Sequence, residues 1–105
     1  MNTATVTMTI APDDPCLDGH FPGRPIVPAV VLLDLASRAL RAQAPHARVR
    51  GIAQAKFPSP LLPAEPLHIE CEWHEGGTSA SFRCVSAGRV VADGILVLDP
   101  GSPAQ

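Results

Sequence analysis

The chain has 105 residues, a net charge of −2 and a pI near 6, which excludes a multidomain protein and argues against a general nucleic-acid binder. With one Trp, three Phe and no Tyr, its core must be built from Val, Leu, Ile and Ala. Three cysteines (Cys16, Cys71, Cys84) without C-x-x-C spacing argue against a disulfide framework or zinc site and fit a reduced setting better.

Nothing at Met1–Thr5 resembles a signal peptide, and no apolar run approaches a membrane span, so the expectation is a soluble cytoplasmic domain covering residues 1–105. Residues 3–10 alternate Thr with apolar side chains from Thr5 onward and predict a half-buried strand. Residues 11–18, with two prolines and three Asp, form a turn-rich connection.

A stiff segment follows, Gly19-His20-Phe21-Pro22-Gly23-Arg24-Pro25-Ile26-Val27-Pro28. Its prolines fix their own φ and bias the preceding residues towards extended geometry. Pro28 suits the first turn of a helix, predicted to run to about Ala44 and to be stopped by Pro45. Only Asp34 interrupts the apolar run from Ala29 to Ala36, so the first two turns are expected to be buried on all sides. One small sheet covers one side of a helix, and a dimer is the economical cover for the other.

Val49–Phe57 predicts a second strand, broken by Pro58-Ser59-Pro60. Residues 67–74 alternate cleanly, with Leu67, Ile69, Cys71 and Trp73 inward and His68, Glu70, Glu72 and His74 outward. Glu75-Gly76-Gly77-Thr78 is a hairpin signal, Ser79–Ser86 the return strand and Ala87-Gly88 the next turn. Arg89–Leu98 is apolar on both faces, as a central strand would be. The order β–α–ββββ implies an α+β domain in which a curved antiparallel sheet wraps one long helix.

His20 combines a rigid loop, a flanking Gly19 that permits close approach, and a pKa suited to proton transfer near neutrality. A loop histidine packed on Phe21 accounts for it equally well, and the residues alone leave both readings open. Asp34 admits two readings as well: an i,i+4 pair with Arg38, or a buried acid whose pKa desolvation raises. The helix N-terminus at Ala29-Val30 offers unpaired N–H groups to an oxygen gaining negative charge. His68, Glu70, Glu72 and His74 lie ~7 Å apart along one face, which favours a solvated surface over metal binding. Arg24, Arg41, Arg48, Arg50 and Lys56 read as surface charge that could also dock an acidic partner.

Residues 19–30 resemble the G-H-F-P-G-x-P-x-x-P-G-V motif of the 3-hydroxyacyl-acyl-carrier-protein dehydratases. Asp34 falls fourteen residues after His20, where that family has Glu or Asp, and Ala55-Lys56-Phe57-Pro58-Ser59-Pro60 is similar to its A-x-F-x-x-P. The resemblance covers most of the chain. It implies the hot-dog fold, a curved five-stranded antiparallel sheet around a central helix, dimerising through strand edges. It implies dehydration of a 3-hydroxyacyl thioester to the trans-2-enoyl product without a cofactor or metal, the substrate riding on the phosphopantetheine arm of acyl carrier protein.

In the implied site His20 takes the C2 proton, and Asp34 of the partner subunit protonates or positions the departing hydroxyl. Amides at Ala29 and around Gly23 polarise the carbonyl, and Phe21, Pro28, Val30 and Arg38 complete the substrate-binding set. Ala29 replaces the family's glycine, Arg38 stands where glutamine is usual, and the chain is shorter than most relatives. Such short versions resemble those of specialised lipid or polyketide-like pathways, working as homodimers or as heterodimers with a second hot-dog subunit. Two alternatives stay open: a hot-dog thioesterase in which Asp34 activates water, and a non-catalytic acyl-binding partner subunit.

Overall fold

A computed structural model describes residues 2–11 and 26–99. Within them the elements are β1 (Asn2–Met8), α1 (Ala29–Gln43), β2 (Val49–Lys56), β3 (Leu67–Trp73), β4 (Ser79–Ser86) and β5 (Arg89–Leu98). The five strands form one sheet in the order β1-β3-β4-β5-β2, with every pairing antiparallel. The three C-terminal strands are the meander expected from their hairpin signals. At the second turn, Ala87 and Gly88 both take positive φ, 51° and 76°, which matches the right-handed twist of the flanking strands.

The alternation in β3 becomes a clean division of faces. Leu67, Ile69, Cys71 and Trp73 are buried, as are Ala80, Phe82 and Cys84 beside them on β4. Helix α1 lies on this face through Leu32, Ala36, Ala39 and Leu40, the i, i+4, i+7, i+8 stripe of an amphipathic helix. The Cys71 thiol points at the Ala36 carbonyl, 3.8 Å away, in the middle of the contact.

β1 and β2 sit at opposite edges of the sheet, so the segment containing α1 carries the chain from one edge to the other. β5 is an interior strand, as its apolar composition implied. Its cover is incomplete, because Ile95 on the outer face remains exposed. Gly94 is the tightest point of the β5–β2 pairing. A Cβ there would overlap the Gln54 carbonyl oxygen and lie 2.9 Å from Ala55 Cα.

Burial pushes the Cys71 thiol up to about 11 and the Cys84 thiol up to about 12, the latter also raised by Cys71 and Asp93. Both groups therefore stay protonated and inert at neutral pH. In a Cys16→Ser background, a maleimide should label neither thiol in the folded protein and both in urea, as read by mass spectrometry. Labelling of the folded chain at the rate of a free thiol would contradict the burial. Because both folded values exceed the unfolded thiol value near 9, this pair leaves stability intact below that pH and lowers it as pH rises further.

Candidate active site

Pro28 caps α1 in extended geometry (φ −61°, ψ 145°), and its carbonyl accepts from Val31 N at 3.0 Å and Leu32 N at 3.3 Å. Among the described residues no side chain caps this end, and the first turn carries no acidic residue. Ala29 and Val30 are exposed there. The positive end of the helix dipole favours a negative charge placed there.

Asp34 is not buried within the chain, contrary to its apolar neighbours' suggestion. Its side chain is 51% exposed and its Oδ2 lies 2.9 Å from Arg38 Nε, Arg38 being 68% exposed. The reason is angular. Asp34 follows the buried Leu32 by two residues, roughly 200° around the helix, and so points away from the sheet. Val30, Asp34 and Arg38 form one outward stripe at i, i+4, i+8, and Val30 is 69% exposed. One face of the helix is covered by the sheet, as expected of a single small sheet, and within one chain the other stays open.

An exposed i,i+4 pair of this kind contributes about 0.3–0.5 kcal/mol. Arg38→Gln should therefore shift the urea midpoint only slightly, and a loss much above that range would mean that Arg38 has a further structural partner.

Pro28, Ala29, Val30, Asp34 and Arg38 lie along the first two thirds of α1 and its cap. His20, Phe21 and Gly23 lie outside the described residues. On the strand face, His68 Nδ1 lies 3.0 Å from Thr7 Oγ1 across the β1–β3 pairing. Among the described residues, no three His, Cys, Asp or Glu converge as metal ligands, and no helix is long and apolar enough to cross a membrane.

Sequence reasoning missed two features. The first is an open cavity of about 590 Å³ at the far end of α1, lined by Gln43, Ala44, Trp73, His74 and Glu75 among others. It begins some nine residues beyond Asp34, roughly 13 Å along the helix axis, so it is separate from the stripe above. The second is an ion pair in which Arg89 Nη2 lies 2.7 Å from Glu65 Oε1. Its one visible signal was a charged residue opening an otherwise apolar strand. The Arg89 guanidinium, with help from the Leu62 amide, holds the Glu65 carboxyl below its ordinary value of 4.5. This contribution is complete above that value and is lost as pH falls through the lower folded one.

The profile of the ApeI-like family, described as ApeI dehydratase, matches residues 1–95. This chain belongs to the ApeI-like dehydratase family. Among relatives of the ApeI-like chain, the 3-hydroxyacyl-[acyl-carrier-protein] dehydratase FabZ of Haemophilus influenzae is 31% identical over 72 residues, covering 60% of this chain and 49% of that protein. The chain thus spans about half the length of the curated relatives it matches.

Among solved structures, the dehydratase heterocomplex ApeI:P from Xenorhabdus doucetiae superposes with a TM-score of 0.83 at 26% identity, covering 91% of this chain and 86% of that one. The pyran synthase domain from module nine of the sorangicin pathway gives a TM-score of 0.75 at 29% identity, covering 100% of this chain and 38% of that one. The fold is the hot-dog.

Proposed function

We propose that this chain dehydrates 3-hydroxyacyl thioesters carried on acyl carrier protein to trans-2-enoyl thioesters, in fatty-acid or polyketide-like biosynthesis in the cytoplasm. The observation that carries the reading is the outward stripe of α1. It presents a carboxylate, Asp34, on the face its own sheet leaves open, one turn and a half from a helix N-terminus that no side chain caps among the described residues. A catalytic acid so placed serves a cavity that a second subunit closes. That subunit is either another copy of this chain or a different hot-dog protein.

In this site His20 removes the C2 proton, whose acidity depends on stabilising the developing enolate oxygen. The Ala29 amide, with the amides around Gly23, donates to that oxygen. The C3–O bond then breaks, and the hydroxyl, positioned by Asp34, leaves as water carrying the proton that His20 took from C2. Phe21, Pro28 and Val30 wall the acyl group, and the reaction needs no cofactor beyond the carrier's phosphopantetheine arm.

A second reading, a non-catalytic subunit that lends a wall to another chain, draws on the Asp34–Arg38 contact, which occupies the carboxylate with a neighbour on its own helix. Mass spectrometry of 3-hydroxyacyl-carrier substrates separates the two. Loss of one water on incubation with the purified chain, alone or with its partner subunit, supports dehydration. Carrier binding without turnover by either assembly supports the second reading, and release of free acid would replace both with hydrolysis.

A further inference from the structure

The loop between β2 and β3, residues 57–66, touches the chain at two places that bracket the segment bearing His20. Leu61, itself buried, accepts from Val27 N through its carbonyl at 2.9 Å, immediately before the Pro28 cap of α1. Ala64, at a positive φ of 70°, donates its N–H to the Ile10 carbonyl at 2.8 Å, just beyond β1. Ile10 and Val27 are both buried, at 6% and 3% exposure. One loop therefore fixes the chain on either side of residues 12–25 and sets the start of the helix.

Four of the ten residues in this loop are prolines, at 58, 60, 63 and 66, so it offers few amides for its own hydrogen bonding. Besides those two backbone bonds, one guanidinium gathers it. Arg89 Nη2 donates to the Pro60 carbonyl at 3.0 Å and to Glu65 Oε1 at 2.7 Å, while Arg89 Nη1 lies 3.5 Å from the Ser86 carbonyl. The same Glu65 oxygen accepts from Leu62 N at 3.0 Å, closing a tight turn around residues 62–65. The guanidinium thereby gathers both arms of the loop, on either side of Leu61 and Ala64, against the β4–β5 hairpin. The partners are partly withdrawn from water, at 34% and 26% exposure, and the two N–H groups of Nη2 hold the two loop acceptors while Nη1 is turned to the Ser86 carbonyl.

We propose that Arg89 and Glu65 are positioning residues: they lock loop 57–66 in the shape whose Leu61 carbonyl and Ala64 amide anchor Val27 and Ile10, and so set the N-terminus of α1 with its Ala29 amide. The catalytic part of this inference rests on the dehydratase reading above. The anchoring part does not.

The test uses Arg89→Ala, Arg89→Lys and Glu65→Gln in the full chain with its partner subunit. Three quantities are read: amide exchange at Val27 and Ala64, kcat and KM on a 3-hydroxyacyl-carrier substrate, and Tm. For Arg89→Ala, exchange at both amides should rise relative to Ile69 in β3, and kcat should fall about 10–100-fold with KM little changed, as expected when catalytic groups are displaced from afar. Arg89→Lys, which keeps a positive charge beside Glu65 but loses the planar guanidinium and its second nitrogen, should recover part of kcat. Glu65→Gln preserves the shape and should move both readouts the same way by less, which keeps the test decisive if Arg89→Ala does not fold.

Wild-type exchange at Val27 and Ala64 in these variants overturns the proposal. So does faster exchange with unchanged kcat, or a lower Tm as the sole effect. A wild-type assembly that dehydrates nothing overturns the preceding section instead, and the exchange arm still decides whether Arg89 holds the two anchors.

Discussion

Replacing His20 by alanine is expected to lower kcat for dehydration by about 10²–10⁴-fold, the usual contribution of a positioned general base. Removal of the C2 proton is the step that an imidazole near neutrality can perform and that no other residue of the Gly19–Pro28 motif can. The thermal midpoint should change little, because the substitution deletes no predicted core residue. Asp34→Asn keeps the shape of the acid and should produce a comparable loss only in the assembled subunits. Mixing His20→Ala chains with Asp34→Asn chains gives the sharper measurement. If each site draws one residue from each subunit, a mixed dimer regains one intact site, and activity should return on mixing. Dehydration that survives His20→Ala at the wild-type rate would remove the histidine from the mechanism, and hydrolysis that survives it would favour the thioesterase reading.

The largest expected effect on stability is at Gly94, not at any site residue. Gly94→Ala forces a methyl into the Gln54 carbonyl across the β5–β2 pairing, where both neighbours are backbone and neither can rotate aside. Overpacking of this kind costs about 1–3 kcal/mol, and for a domain of this size each kcal/mol shifts Tm by roughly 4–8 °C. Circular dichroism should record a fall of that order, with amide exchange accelerated along β2 before the rest of the sheet. Gly51→Ala on β2 is the control, since a Cβ there has nothing within 4 Å and should leave Tm nearly unchanged. Equal melting of the two variants would mean that β2 does not pair with β5 at Gly94.

The strands of the meander could be read residue by residue because one of their faces is dry and the other wet. In β3, Leu67, Ile69, Cys71 and Trp73 are buried while His68, Glu70, Glu72 and His74 are exposed, as a period of two demands. The bounds of β4 and β5 follow from the glycines at their turns. At the less patterned elements the ends moved: β1 covers Asn2–Met8 and not 3–10, β2 stops at Lys56, and α1 runs from Ala29 to Gln43. Helix α1 misled for a specific reason. Val30 is apolar although it lies on the exposed stripe, and Leu33 and Leu35 pack at the margin of the core, so the pattern does not mark the side that faces outward. Asp34 consequently looked buried, when the angle from Leu32 turns it away.

By itself the sequence determined the element order, the inward residues of the meander, and the motif that runs from Gly19 to Pro28 into a helix bearing Asp34. These are local properties, set by side-chain periodicity and by prolines and glycines acting on their own dihedrals. The tertiary structure alone decided that β1 and β2 occupy opposite edges, that Asp34 faces away from its own sheet, and that Arg89 reaches across to Glu65 and Pro60 to hold the loop against Ile10 and Val27. Those facts depend on contacts between residues far apart in the chain, and a hydrogen bond from Arg89 to a backbone carbonyl 29 residues away leaves no periodic trace in the sequence.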